Sequence, residues 1–312
     1  MRCLLAVVLS LTIGGWAHAE NLVLLNGVII DGTAKPAVVE NLRIRDGKIV
    51  DIGNFQPAAG ETTIDLHGLV VAPGFIDIHN HSAVGLGAKP EATSQIMQGI
   101  TTVVLGADGD GPVDVDKFLA AFRDNHPAVN VLTFVGHNSV RRQVMGADYK
   151  RAARPDEIGH MADLVFKAMS EGAVGLSSGL DHDAGIYAKF DELLALAKTM
   201  AKSGGVYMTS MRDDADNVIA SVQESINIGR IAKVPVEIGH LRLTSAPVWG
   251  ETQQVIAEFD KAHAEGIDVT ADVYPYDSWP MELAKIVHSG KTNDANEVVQ
   301  AIAAAMQLDQ LL

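Results

Sequence analysis

Thiol chemistry is nearly missing from this chain. Its one cysteine among 312 residues is Cys3, so no internal disulfide can form and no thiolate cluster can hold a metal. Stability must then come from a large apolar core, and any metal site must use histidine and carboxylate. Positive charge is scarce as well: 24 Lys and Arg stand against 39 Asp and Glu, a net charge of -15. That balance argues against nucleic acid and anionic membranes as partners, because both repel such a surface. Long apolar runs are missing except at the start. There "MRCLLAVVLSLTIGGWAHA" has a basic Arg2, an apolar stretch from Leu4 to Trp16 and a small-x-small end, Ala17-His18-Ala19. This is the layout of a signal peptide over residues 1–19, with an apolar part too short to span a bilayer comfortably. Cys3 precedes the apolar run, which disfavours a lipoprotein anchor. A periplasmic or secreted protein, clear of the membrane once the leader is cleaved, is the expectation.

What is present begins with short β-rich runs. Residues 20–72 contain "NLVLLNGVIIDG", "NLRIRDGKIVDIG" and "TTIDLHGLVV", broken by Asn-Gly and Asp-Gly, the strongest short-range hairpin signal. They predict a small β-module poor in helix. After Pro73 the pattern changes to apolar strands alternating with amphipathic helices. Strands are expected at 75–81, 101–107, 130–137, 173–178, 205–212, 234–241 and 268–274. Helices are expected between them, among others over "DEIGHMADLVFKAMSEG" and "FDELLALAKTMAKSGG". Repetition of this kind over residues 73–312 fits an α/β (β/α)8 TIM-type barrel better than an open sheet. The sequence ends where an eighth strand would begin, so the barrel is expected to be truncated before strand 8.

In such a barrel the strands' C-terminal ends carry the chemistry. "PGFIDIHNHS" puts His79 and His81 two residues apart at the end of strand one. On a strand, that spacing points both side chains to one face, where they could share a cation through imidazole nitrogens. By itself His-x-His is equally two polar residues at a strand end. Titratable groups at other strand ends strengthen the metal reading: Asp108 after strand two, His137 after strand three, His240 after strand six and Asp272 in strand seven. A cation there could activate water and polarise a carbonyl, the requirement for hydrolysis. His160 and His263 fall on helices and are read as solvent-facing. His182, after strand four, faces the mouth. "GADGDGP" lacks a following Gly-Lys-Ser/Thr, so it is not a phosphate loop.

Four separated motifs carry a family resemblance. "APGFIDIHNHS" after a small β-module is similar to the amidohydrolase superfamily. "GHNSVRRQVMG" (136–146), "GAVGLSSGLDHDAGIYA" (172–188), "EIGHLR" (237–242) and "DVYPY" (272–276) resemble one branch of it, the D-aminoacylases, or N-acyl-D-amino-acid deacylases. The resemblance implies a zinc-dependent barrel, with one or two ions, beside a small β-sandwich over residues 20–72. It implies hydrolysis of the amide of a small N-acyl-D-amino acid by metal-activated water. On the matching positions, His79, His81 and His240 become metal ligands, and Arg242 with Tyr274 becomes the substrate-carboxylate pair. Tyr274 reads equally well as a half-buried strand aromatic. His137 is assigned with Arg141 to orienting the strand-three loop.

Three departures from the family pattern stand out. Asp108 occupies the place of a strand-two cysteine ligand and is expected to serve as metal ligand itself. "YMTSMRDD" puts Ser210 where strand five of the family carries a ligating histidine. A neutral hydroxyl is a poor zinc ligand, so occupancy depends on the other groups. The family's general acid/base aspartate on strand eight has no assignable counterpart here, leaving the catalytic group unknown. Two other classes compete with a deacylase. A cyclic amidase of the dihydroorotase type is disfavoured, because "GAVGLSSGL" offers no bridging lysine on strand four. A truncated or decayed non-catalytic homologue is favoured by Ser210 and the expected loss of strand eight.

Overall fold

A computed structural model describes residues 21–274 and residue 276. The leader expected over 1–19, residue 275 and residues 277–312, where truncation before strand 8 is expected, lie outside them. The chain divides into two compact units, Met1–Gly74 and Phe75–Leu312, against the sequence boundary at 72/73.

The first unit is a single sheet. Strands β1 (Leu22–Ile29), β2 (Val38–Arg45), β3 (Lys48–Gly53) and β4 (Thr62–Asp65) lie in the order β3-β2-β1-β4, and β5 (Val70–Val71) also pairs with β1. The second sheet that a sandwich requires is not among the described residues. Asp46-Gly47 makes the expected hairpin, with both residues at positive φ (50° and 70°) and Arg45 opposite Lys48. Asn26-Gly27 does not. There β1 runs on through a bulge between Leu24 and Gly27, and the Asn26 amide side chain donates to Asp65 Oδ1 at 3.1 Å. The bulge divides β1 between two parallel partners, β4 before it and β5 after it. Turn chemistry at Asn26 therefore serves a change of partner rather than a chain reversal.

In the second unit all seven expected strand positions are occupied. They are β6 (Phe75–Asp77), β7 (Ile100–Leu105), β8 (Asn130–Thr133) continuing as β9 (Val135–Gly136), β10 (Gly175–Gly179), β11 (Val206–Ser210), β12 (Val236–Ile238) and β13 (Val269–Ala271). Every pairing is parallel, in the sequential orders β6-β7-β8 and β9-β10-β11-β12-β13. Phe134 interrupts strand three, yet its N–H still donates to Leu105 O at 2.9 Å and Val174 N–H to Thr133 O at 3.0 Å, so the layers stay joined. This is an α/β fold of parallel strands, with helices packed over them as α1 (Pro155–Ser170), α2 (Phe190–Ala201), α3 (Val218–Ala232) and α4 (Thr252–Ala264). Met161, Val165, Leu193, Leu196, Met200, Val222 and Ile226 supply their apolar faces to one core with Leu176, Tyr207 and Val236. Helix α1 starts at a Pro whose missing N–H costs nothing there; at its N-terminus Glu157 Oε2 accepts the Arg154 N–H at 2.8 Å. No helix among the described residues is long and apolar enough to cross a membrane.

Strand ends are shorter than expected, and this corrects one step of the sequence argument. Strand one stops at Asp77, not at His81. The Asp77 carboxylate accepts the His79 N–H at 3.2 Å and the Asn80 amide at 2.7 Å, and Asn80 Oδ1 accepts the Ser82 N–H at 2.8 Å. These local bonds take over at His79 and Ser82, while the Asn80 N–H still reaches Val104 O on β7 at 3.3 Å, so His79 and His81 lie past the regular strand, not on its alternate positions. His137 likewise opens a helix, His137–Met145, instead of ending strand three.

Candidate metal centre

The turn after β6 and the turn after β7 bring three donors together. His79, His81 and Asp108 each offer one ligand atom, and these atoms lie within 4.8 Å of one another. Asp108 Oδ2 is 3.3 Å from His79 Nε2 and 3.2 Å from His81 Nε2. Asp108 reaches this place through a strained backbone: its φ is +55°, between Gly106 at +77° and Gly109 at +80°. For a non-glycine residue that conformation is uncommon and costs energy. Gly109 has no latitude, because a Cβ there would meet Asn138 Oδ1 at 2.4 Å and Gly179 N at 2.7 Å. The glycines of "GADGDG" thus shape a tight turn that aims one carboxylate.

The turns after β12 and β13 complete the cluster. His240, also at positive φ (36°), places Nε2 at 3.7 Å from Asp108 Oδ1 and 3.1 Å from Ser210 Oγ at the end of β11. Asp272 ties two histidines at once: Oδ2 lies 2.9 Å from His79 Nδ1, and Oδ1 accepts the His240 backbone N–H at 2.6 Å. With Nδ1–H of His79 directed at Asp272, its Nε2 faces Asp108, the arrangement by which an outer carboxylate fixes a ligand's tautomer. Sequence reading marked Asp272 only as a titratable strand-end group; its bridging position needed the first and seventh strand ends to meet.

Electrostatics follow from burial and neighbours. Burial works against a proton on His79, but the Asp108 and Asp272 carboxylates outweigh it and raise its pKa to about 10. Burial likewise opposes charge on Asp108, yet His79 and His81 hold its pKa well below the usual carboxylate range. Burial dominates at His240 and lowers its pKa. Two buried atoms in the cluster, Asp108 Oδ1 and His240 Nδ1, have no hydrogen-bond partner among the described residues. An orphaned carboxylate oxygen facing an imidazole, in a site of nitrogen and oxygen donors, fits a divalent cation such as zinc.

The remaining residues fall into place around it. Arg242 Nη1 donates to Tyr274 OH at 3.3 Å, so the expected carboxylate pair is adjacent. Arg242 Nε also donates to Asp214 Oδ2 at 2.5 Å, a partner that sequence reading missed. Burial opposes its charge, but Asp214 and Tyr274 raise its pKa further. Asp181, also missed, accepts from Ser210 Oγ at 2.6 Å and lies 2.9 Å from His182 Nδ1. His137 stands apart from the cluster, 2.8 Å from Glu192 Oε1, which also takes Arg141. His160 and His263 are exposed on helices.

Comparison with known proteins places the fold in a family. The model of the amidohydrolase family matches residues 62–247. A D-aminoacylase of Alcaligenes xylosoxydans xylosoxydans is 34% identical over 297 residues, 87% of this chain and 61% of that protein. A crystal structure of N-acyl-D-glutamate deacylase from Bordetella bronchiseptica, complexed with zinc and a phosphonate mimic of the tetrahedral intermediate, superposes with a TM-score of 0.77. It is 32% identical, over 83% of this chain and 59% of that one. A D-aminoacylase structure concerned with a binuclear metal centre, activated by one metal and attenuated by the second, gives 0.75 at 32% identity, over 82% and 59%. The chain therefore spans about three-fifths of the length of these relatives. Since the family match covers more than half of its residues, the chain belongs to the amidohydrolase family.

Proposed function

We propose that this protein hydrolyses the amide bond of small N-acyl-D-amino acids in a zinc-dependent reaction, in the periplasm or outside the cell. The observation that carries the reading is the convergence of His79, His81 and Asp108 within 4.8 Å. These three, with His240, would hold the cation. Bound there, a zinc ion supplies Lewis acidity toward the amide carbonyl and toward water. The chain's own groups do the rest. Asp272 holds His79 and the His240 backbone in place. Asp214 and Tyr274 OH orient the Arg242 guanidinium, and Arg242 with Tyr274 would bind the substrate carboxylate.

The test is direct: purify the full chain, measure zinc per polypeptide, and assay N-acetyl-D-amino acids against their L-enantiomers. Bound zinc with D-selective turnover supports the reading. Ser210 favours a second one, a non-catalytic homologue, and a chain with neither zinc nor turnover would establish that instead. For the active protein, Arg242→Ala is expected to lower kcat/KM for N-acyl-D-amino acids by about 10- to 100-fold, mostly through KM, the worth of one or two charge-assisted bonds. An amide analogue without the carboxylate should show little change. Equal losses for both substrates would remove Arg242 from carboxylate binding.

A further inference from the structure

Strand five ends in a hydroxyl, not an imidazole, and a carboxylate has been brought to the same spot. Ser210 is 1% exposed and its Oγ donates to Asp181 Oδ1 at 2.6 Å, a charge-assisted bond. The same oxygen is 3.1 Å from His240 Nε2, toward which the orphaned Asp108 Oδ1 also points at 3.7 Å. Asp181 and His240, from the ends of strands four and six, therefore meet at Ser210 Oγ, with Asp108 from strand two 3.7 Å from the same His240 nitrogen. Asp181 is three-quarters buried, with side-chain exposure of 24%. Asp108 lies against His79, His81 and His240, Asp272 against His79, and Asp181 against His182 and Ser210.

The loop carrying Asp181 is held firmly from outside the cluster. Asn138 Nδ2 donates to Gly179 O at 3.0 Å and to Asp183 O at 3.1 Å, clamping both ends of the segment around Asp181. Gly185 packs so closely that a Cβ would meet Gly179 O at 1.9 Å. Asn138 in turn is 3.0 Å from His137 Nδ1, which the buried Glu192 fixes on its other side.

We propose that Asp181 supplies the carboxylate donor that replaces the missing strand-five imidazole, with Ser210 as its hydrogen-bonded tether beside His240 and Asp108. The inference rests on the cation-binding reading above. It is tested by zinc and cobalt(II) binding to the full chain, with equilibrium dialysis for affinity and the visible cobalt absorption for the donor set. Asp181→Asn is expected to weaken zinc binding by about 10- to 100-fold, the range for a ligand-supporting carboxylate or more, and to alter the cobalt band. In a Ser210→His background, where an imidazole is restored, the same substitution is expected to cost under about threefold. Asp181→Ser runs in parallel, so a failure of Asp181→Asn to fold does not stop the comparison. Parental affinity in both Asp181 variants overturns the proposal, as does an equal loss in the two backgrounds. If His240→Ala weakens binding while the Asp181 variants do not, only this inference falls. A parent chain that takes up no zinc overturns the cation reading as well.

Discussion

Asp108→Ala is expected to abolish specific zinc binding, lowering affinity by more than the roughly 100-fold typical of an outer-sphere change. The reason is geometric. Asp108 is in contact with all three histidines of the cluster: His79 at 3.3 Å, His81 at 3.2 Å and His240 at 3.7 Å. Removing it also leaves those imidazoles without the anion that draws them together. Asp108→Asn separates the two effects, since it keeps the shape and removes the charge. Isothermal titration with zinc on metal-stripped protein measures both variants. Should Asp108→Ala keep parental affinity, the cation would have to sit elsewhere and the proposed centre would be wrong. The strained φ of +55° adds a second expected result. With the carboxylate lost in both, Asp108→Gly should leave the metal-free protein with a higher melting temperature than Asp108→Ala, because glycine adopts that φ without strain.

Glu192→Ala is expected to destabilise the fold by about 3–5 kcal/mol, the cost of leaving a buried charge without its partner. Glu192 is 1% exposed, and Arg141 and His137 are fully buried against it. Arg141 Nη1 binds both carboxylate oxygens, at 2.6 and 2.5 Å, while His137 Nε2 lies at 2.8 Å. Arg141 Nη2 also donates to Tyr149 O at 2.9 Å, so the triad pins the loop after the His137–Met145 helix. On a total stability of about 5–15 kcal/mol, such a loss is large. Urea unfolding of the variant measures it, and a change under about 1 kcal/mol would mean the site collapses or hydrates without strain.

The pH dependence has a definite sign. Burial alone would raise the Glu192 pKa, but the His137 hydrogen bond and Arg141 outweigh it and hold it below its usual 4.5. Its stabilisation is therefore complete above that ordinary value and is lost as pH falls through the lowered one. Unfolding midpoints taken across the acid range should fall in the parent and change less in Glu192→Gln. Parallel slopes in the two proteins would assign the acid sensitivity to other carboxylates.

How much of this was legible beforehand depends on how local each cause is. Strand positions in the second unit were, because apolar runs alternating with amphipathic helices state a parallel α/β fold wherever the chain is read. The Asp46-Gly47 hairpin was too, since two positive φ angles in sequence are a local demand. Asn26-Gly27 carried the same signal and became a bulge, because pairing with β4 and β5 outweighed the turn. His79 and His81 were found for a reason that fails in detail: strand alternation does not aim them, since Asp77 and Asn80 end the strand before them.

By itself, then, the sequence determined the family, the order of strands and helices, and the residue types able to bind a cation. Composition and period are written along the chain, and each can be read within a few dozen residues. Asp108 was assigned from the sequence too, but only the tertiary structure showed that Asp272 bonds His79 and that Asp181 meets Ser210. Asp272 lies 193 residues from His79 yet is bonded to it, and Asp181 lies 29 residues from Ser210 on a neighbouring strand end. No local pattern states which partner either aspartate will meet. Closing parallel strands around a common end is what selects them, because it puts distant residues within one hydrogen bond of each other.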